Sequence, residues 1–486
     1  MACFYRQHDD TEVTIPRYIE SSTGITYYDI KVRVAQVEWL VERRYKDFAQ
    51  LNEKLEEPSS RKLLPPKKLV GNKQPAFLET RREQLEKYLK ELLIHFRTQL
   101  PQVLAEFLEF NKYDIIYLLQ DLAKLFNECG DALLSARKEY NFSALEVFAI
   151  SERLSLPCPP QSCNIEERGK FDFSHVLDFC SQLAVLVVTP SKENASFGDY
   201  NAVDVPIGRS NIIPNRLSFN LNAFRQLKTL KFSALSTENI VDIEQLKPSL
   251  EQIRVHNTTI THINQVLLCD NLHKACDVPS VLPPGIVSEV AATSKAALLS
   301  TDSWSNLAEL DLTGNLLTQI DGSVRTAPKL RCLLLEQNRI RTIQNLSELP
   351  HLQVLSLSVN LIGECVDWHL ELGNLVTLNL AQNKLKELSG LRKLLSLVNL
   401  DLSCNLIELL DEVDHLAGLP LLETLRLTGN PLAGSVDYRP RVLARFHERA
   451  NEISLDNEPG TAVELDTALV LSALLKSKQR QQQQQK

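Results

Sequence analysis

Apolar and polar positions alternate with a period of two between residues 11 and 48, most clearly in Tyr28-Asp29-Ile30-Lys31-Val32-Arg33-Val34. After a short turn, Glu38-Trp39-Leu40-Val41-Glu42-Arg43-Arg44-Tyr45 continues the alternation, the pattern of paired, half-buried strands. From Phe48 the apolar spacing lengthens to a helical one through Leu51 and Leu55. A proline-marked loop, Leu64-Pro65-Pro66-Lys67-Lys68, runs on through Gly71 and Pro75, a signal of turns rather than regular structure. Helical stripes come next at Leu85, Tyr88, Leu89, Leu92 and Leu93, and again at Val103, Phe107 and Phe110. Together these predict a small α+β domain over residues 11–118, an antiparallel sheet with helices. Residues 119–220 predict a partly helical connector: Leu118 to Leu134 is helical in pattern, Pro157, Pro159 and Pro160 break it, and the stretch from Phe171 to Val188 has room for a helix and a strand.

Beyond residue 220 a fixed period replaces local propensity as the dominant signal. Leu310-Asp311-Leu312-Thr313-Gly314-Asn315 is echoed at Leu333, Leu355, Leu378, Leu400 and Leu425, and the closing asparagines (315, 338, 360, 383, 405, 430) step by 23, 22, 23, 22 and 25 residues. This is the leucine-rich-repeat signature L-x-x-L-x-L-x-x-N-x-L, with irregular copies expected around Leu227-Leu230-Phe232 and Leu250-Ile253-Val255. One unit cannot bury its own leucines, so copies stack into a curved α/β solenoid, predicted here over 221–440. Each asparagine, buried at its turn, supplies partners to backbone groups that would otherwise lack them. Residues 441–486 predict a C-terminal cap helix and then an unstructured tail, because Gln481 to Gln485 cannot build a core.

Charge narrows the chemistry. The 486 residues carry a net charge of −8, yet residues 43–73 hold nine basic side chains against four acidic ones. A basic cluster on an acidic chain implies one specific anionic ligand rather than general nucleic-acid affinity. Within it, Arg44 at a strand end offers a planar fork for phosphate, Tyr45 a ring that can stack, and Lys67 with Lys68 compact charges for a second phosphate. Arg81, at a helix start, offers a further fork. Leu69, Val70 and Phe77 lie in the loop region expected to dip into a bilayer, where apolar side chains add to the attraction of basic ones for an anionic surface; for Phe77 the other reading is a packing residue at a helix start.

R-R-Y-x-D-F, a P-P-K loop and R-R-x-x-L-x-x-Y-L, in this order, resemble the phox-homology (PX) domain family over residues 11–118. The resemblance implies a phosphoinositide-binding fold, with phosphatidylinositol 3-phosphate the expected lipid. It places Arg44 on the 3-phosphate, Tyr45 on the inositol ring, Lys67 or Lys68 on the 1-phosphate and Arg81 on the 4- and 5-hydroxyls. A PX domain followed by leucine-rich repeats resembles a class of endosome-associated scaffolds. That implies a cytoplasmic protein, peripheral on early or recycling endosomes, with an integrin tail, a Rho-family GTPase or a kinase as protein partners. Two further readings stand beside it: a sorting-nexin-like trafficking adaptor, and a phosphatase-regulating repeat protein.

On the solenoid, strand residues between the leucines point outward and make a mildly acidic candidate docking surface: Glu309, Asp311, Leu334, Glu336, Asn379, Asp401 and Arg426. Enzyme constellations are absent, with no G-x-x-x-x-G-K-[ST], G-x-S-x-G, H-E-x-x-H or G-x-G-x-x-G. The expectation is therefore a non-enzyme with no cofactor, no metal and no catalytic residues. Ten scattered cysteines without a C-x-x-C pair read as reduced thiols. No run of about 18 apolar residues suggests a membrane span, and the N-terminus has no apolar signal core.

Overall fold

The alternating N-terminal segment forms a three-stranded antiparallel sheet in the order β1 (Thr11–Glu20), β2 (Thr26–Val34), β3 (Val37–Arg44). Period two puts Val13, Ile15, Tyr28, Ile30, Val32, Trp39 and Val41 on one buried face. The helices α1 (Tyr45–Lys54), α2 (Pro75–His95) and α3 (Gln102–Phe107) complete that core. Pro75 stands in the first turn of α2, where its missing N–H costs nothing. Trp39 closes the far side by donating its indole N–H to the Leu108 carbonyl at 2.7 Å. The computed structural model describes residues 1–55, 64–67, 74–97, 100–136, 138–157, 169–190, 205–235, 237–269 and 303–484. It divides into two compact units, 1–226 and 227–486.

Helix α4 (Ile115–Ala136) runs through residue 118 without a break, so the expected connector begins inside a continuous helix. Beyond α4 the chain builds an α/β element rather than a spacer. Strands β4 (Glu139–Ser143) and β5 (Val185–Thr189) pair in parallel. A parallel pair needs a crossover, here carried by α5 (Ala144–Ser155) and α6 (Phe173–Gln182). Phe126 of α4 stacks on Phe179 of α6 with ring centroids 4.0 Å apart. Ser143 and Glu146 close a reciprocal cap at the start of α5.

The end of the connector returns to the first sheet. The Leu40 N–H donates to the Arg209 carbonyl at 2.9 Å and the Asn211 N–H to the Glu38 carbonyl at 3.1 Å, so residues around Ser210 line the open edge of β3 in antiparallel fashion. Arg209 also reaches Asp29, whose side chain is 1% exposed, at 3.4 Å, and Arg17 meets the same carboxylate at 2.7 Å. An otherwise unpaired strand edge is thereby covered.

In the second unit the repeats give a ladder of nine parallel strands among the described residues: β6 (Thr229–Ser233), β7 (Gln252–His256), β8 (Glu309–Asp311), β9 (Cys332–Leu334), β10 (Val354–Ser356), β11 (Thr377–Asn379), β12 (Asn399–Asp401), β13 (Thr424–Arg426) and β14 (Ser454–Leu455). The leucines stay in register, Leu310, Leu333, Leu355, Leu378, Leu400, Leu425 and Leu455 lying side by side and buried. Every signature asparagine is buried as well. The residue before it lies at positive φ in each copy: Gly314 and Gly429 take this freely, whereas Val359 holds φ 56, a costly conformation for a β-branched side chain.

The ladder is finished by α7 (Tyr438–Leu443), a two-residue antiparallel partner β15 (Glu458–Pro459) on β14, and α8 (Ala462–Gln484). Arg439 ties α7 to α8 through Glu464 at 2.7 Å. The glutamine tract expected to be unstructured instead continues α8 as far as Gln484. Glutamine is a good helix former and neither glycine nor proline interrupts the segment, so an established helix propagates into it.

Candidate functional site

Arg44 is the last residue of β3 and the cap of α1, a position fixed by its neighbours. Its backbone N–H donates to Asp47 Oδ2 at 2.7 Å, and its guanidinium stands 3.6 Å from Asp47 Oδ1 with the side chain 40% exposed. Tyr45 occupies the first helical position and donates its hydroxyl to the Pro65 carbonyl at 2.5 Å, which ties the proline loop to the strand end. Lys67, two residues further along that loop, is exposed. Lys68, Leu69 and Val70 lie outside the described residues.

Arg81 comes from the second turn of α2 and is 7% exposed. Its guanidinium carbon lies 4.3 Å from the Tyr45 ring centroid and 4.3 Å from that of Phe77. Its Nε and Nη2 are buried and have no hydrogen-bond partner. Phe77, for which a bilayer-seeking loop and packing at a helix start are the two readings from sequence, is half-buried in the first turn of α2 with its ring on this cation. Burial pushes the Tyr28 and Tyr45 hydroxyls above their ordinary values, and the Arg81 charge opposes that rise in both. Arg81 therefore joins Tyr45, Tyr28 and Phe77 into one aromatic-walled basic recess beside the strand end that carries Arg44.

The twin arginines divide their work. Arg43 turns away to the Phe107 carbonyl at 2.9 Å and Glu109 at 3.2 Å. Arg82 donates to the Ile15 carbonyl at 2.6 Å and pairs with Glu79 at 2.7 Å. Both thus tie elements together. Period two on the strand and about 100° per residue on the helix separate each pair. The sequence reading missed Tyr28 at this recess, although its place on the inward face of the β2 alternation was the available signal.

On the strand face of the second unit the charges pair off within the surface. Arg254 meets Glu309 at 2.8 Å, His256 meets Asp311 at 2.8 Å, and Arg426 meets Asp401 at 3.0 Å. Burial works to raise the Asp311 carboxyl, but His256 and Thr313 outweigh it and hold the group below its usual range. Glu336 accepts from the Ser356 hydroxyl at 2.5 Å. Leu334 and Asn379 lie half-buried on the strands between these pairs, so the middle of the face is partly apolar around the Glu336 carboxylate.

Comparison with known proteins matches the PX domain family over residues 33–111 and a leucine-rich repeat over residues 305–362. The rat PX domain-containing protein kinase-like protein is 33% identical over 127 residues, 24% of this chain and 22% of that protein. The mouse kinesin-like protein KIF16B is 37% identical over 89 residues, 17% of this chain and 7% of that protein. The chain thus spans less than a quarter of the length of these curated relatives. Among solved structures, a designed CISK-PX domain is 35% identical over 17% of this chain and 85% of its own, with TM-score 0.16. An internalin from Listeria monocytogenes is 17% identical over 60% of this chain and 71% of its own, with TM-score 0.37. The chain carries a PX domain, a phosphoinositide-binding module, and leucine-rich repeats, a protein-interaction module, and neither is catalytic in kind. No helix among the described residues is long and apolar enough to cross a membrane.

Proposed function

We propose that this chain is a peripheral membrane adaptor whose N-terminal recess takes the headgroup of phosphatidylinositol 3-phosphate while its repeats dock a protein partner. Arg44 forks onto the 3-phosphate, Tyr45 packs on the inositol ring, Lys67 with Lys68 meets the 1-phosphate, and Arg81 donates to the 4- and 5-hydroxyls. Leu69 and Val70 trail the lysines into the bilayer surface. The observation that carries the reading is Arg81: a buried guanidinium with two unpartnered N–H groups is costly unless a ligand completes it. The order of PX domain and repeats resembles nischarin. We extend the resemblance to a scaffold on early or recycling endosomes that holds an integrin tail, a Rho-family GTPase or a kinase. Two weak attachments, lipid and protein, then give avidity that neither has alone. The kinesin-like relative favours a second reading, a trafficking adaptor, and co-purifying partners separate the two.

Sedimentation with vesicles containing phosphatidylinositol 3-phosphate tests the lipid half. Arg44→Ala should abolish binding with the melting curve unchanged, since Arg44 is 40% exposed and its pairing with Asp47 is a surface one. Undiminished binding would sink the assignment.

A further inference from the structure

A buried cation is normally held by an acid. Arg81 is not: among the described residues no carboxylate pairs with it, and two of its nitrogens lack any partner. A carboxylate here would satisfy the guanidinium but cancel the charge that a phosphorylated ligand needs. Two π faces offset part of the desolvation and leave the charge intact. One is Tyr45, already on the ligand side of the recess, at 4.3 Å. The other is Phe77, at the same distance.

Local structure explains why Phe77 is there. Pro75 starts α2, Phe77 falls in its first turn, and Arg81 comes four residues later. Side chains at i and i+4 share one helix face, so the ring and the guanidinium stem meet without help from elsewhere in the fold. Rings over the guanidinium leave its edge, with the buried Nε–H and Nη2–H, as the part of the group that no protein acceptor satisfies. The half-buried ring is also spoken for, which removes it from the set of side chains that enter a bilayer.

We propose that Phe77 is a positioning residue of the headgroup site: with Tyr45 it clamps the Arg81 guanidinium so that its free N–H edge faces the ligand, and it does not insert into the membrane. This rests on the phosphoinositide reading above. The two roles predict different dependence on the probe. A clamp acts on the headgroup itself, whereas an inserting side chain acts only where there is a bilayer.

The test uses the full chain and two probes, soluble inositol 1,3-bisphosphate by calorimetry and vesicles containing phosphatidylinositol 3-phosphate by sedimentation. Phe77→Leu keeps apolar bulk but loses the π face, and should weaken both probes about ten-fold, the scale of one desolvated cation–π contact. Phe77→Trp should restore both. A loss confined to vesicles, or no loss with either probe, overturns the clamp. If the wild type binds neither probe, the phosphoinositide reading is what fails. The clamp is then judged on the Arg81 Nε–H resonance. That signal should be shifted upfield by the rings in the wild type, displaced by Phe77→Leu and recovered by Phe77→Trp, and a signal indifferent to Phe77→Leu overturns it.

Discussion

Replacing Asn360 by alanine removes the side chain that joins two adjacent turns of the solenoid. Its Oδ1 accepts from the Ile340 N–H at 2.9 Å, and its Nδ2 donates to the carbonyls of Leu335, Leu357 and Ser358 at 2.9, 3.1 and 3.2 Å. The residue is 5% exposed, so water does not replace what is lost. Two N–H hydrogens serve three carbonyls, which makes about three independent bonds at roughly 1 kcal/mol each, plus a penalty of about 1–2 kcal/mol for orphaning the Ile340 N–H. The sum, about 4–5 kcal/mol, corresponds to a fall in melting temperature on the order of 10 °C for a unit of this size. Thermal unfolding monitored by circular dichroism reads the global effect, and amide hydrogen exchange at Ile340 reads the local one. Asn360→Asp keeps the acceptor but loses every donor, and should fall almost as far. A shift under about 2 °C, with Ile340 protection unaltered, would refute the claim that this ladder bears load.

Lys67→Ala should weaken vesicle binding several-fold rather than abolish it, from the ~1 kcal/mol that one basic residue contributes near an anionic surface. It should also lower the salt dependence of binding measured between low and physiological ionic strength. Arg209→Ala should destabilise the first unit in urea by about 1–2 kcal/mol, because Asp29 stays buried with only Arg17 to pair it; an unmoved midpoint would mean that the edge strap is ornamental. The Asp311 carboxyl titrates below its ordinary 3.8 in the fold, so its contribution is present above that value and lost as pH falls through the depressed one. Acid unfolding of the second unit should therefore be less steep in Asp311→Asn than in the wild type.

The repeats were legible because their information is one-dimensional. Each leucine and asparagine acts on the neighbouring copy about 23 residues away, so a period in the text becomes a ladder in space. Alternation likewise marked the three N-terminal strands, and the proximity of Arg44, Tyr45, a lysine loop and Arg81 came from a motif order. Period alone could not say which member of each arginine pair is used as a tie, since Arg43 and Arg82 are the same residue types as Arg44 and Arg81, one step away. Nor could it see that residues near Ser210 would return to line β3, 171 positions after Trp39. The ion pairs of the strand face were hidden for the same reason: Arg254 and Glu309 are distant in sequence and adjacent only once their strands pair.

Local pattern thus decided what elements exist, because side-chain periodicity is enforced within a few residues by backbone geometry. Tertiary structure decided which charges are left over for a ligand. That depends on which acids, carbonyls and rings arrive from remote parts of the chain, and for Arg81 what arrives, among the described residues, is Tyr45 rather than a carboxylate.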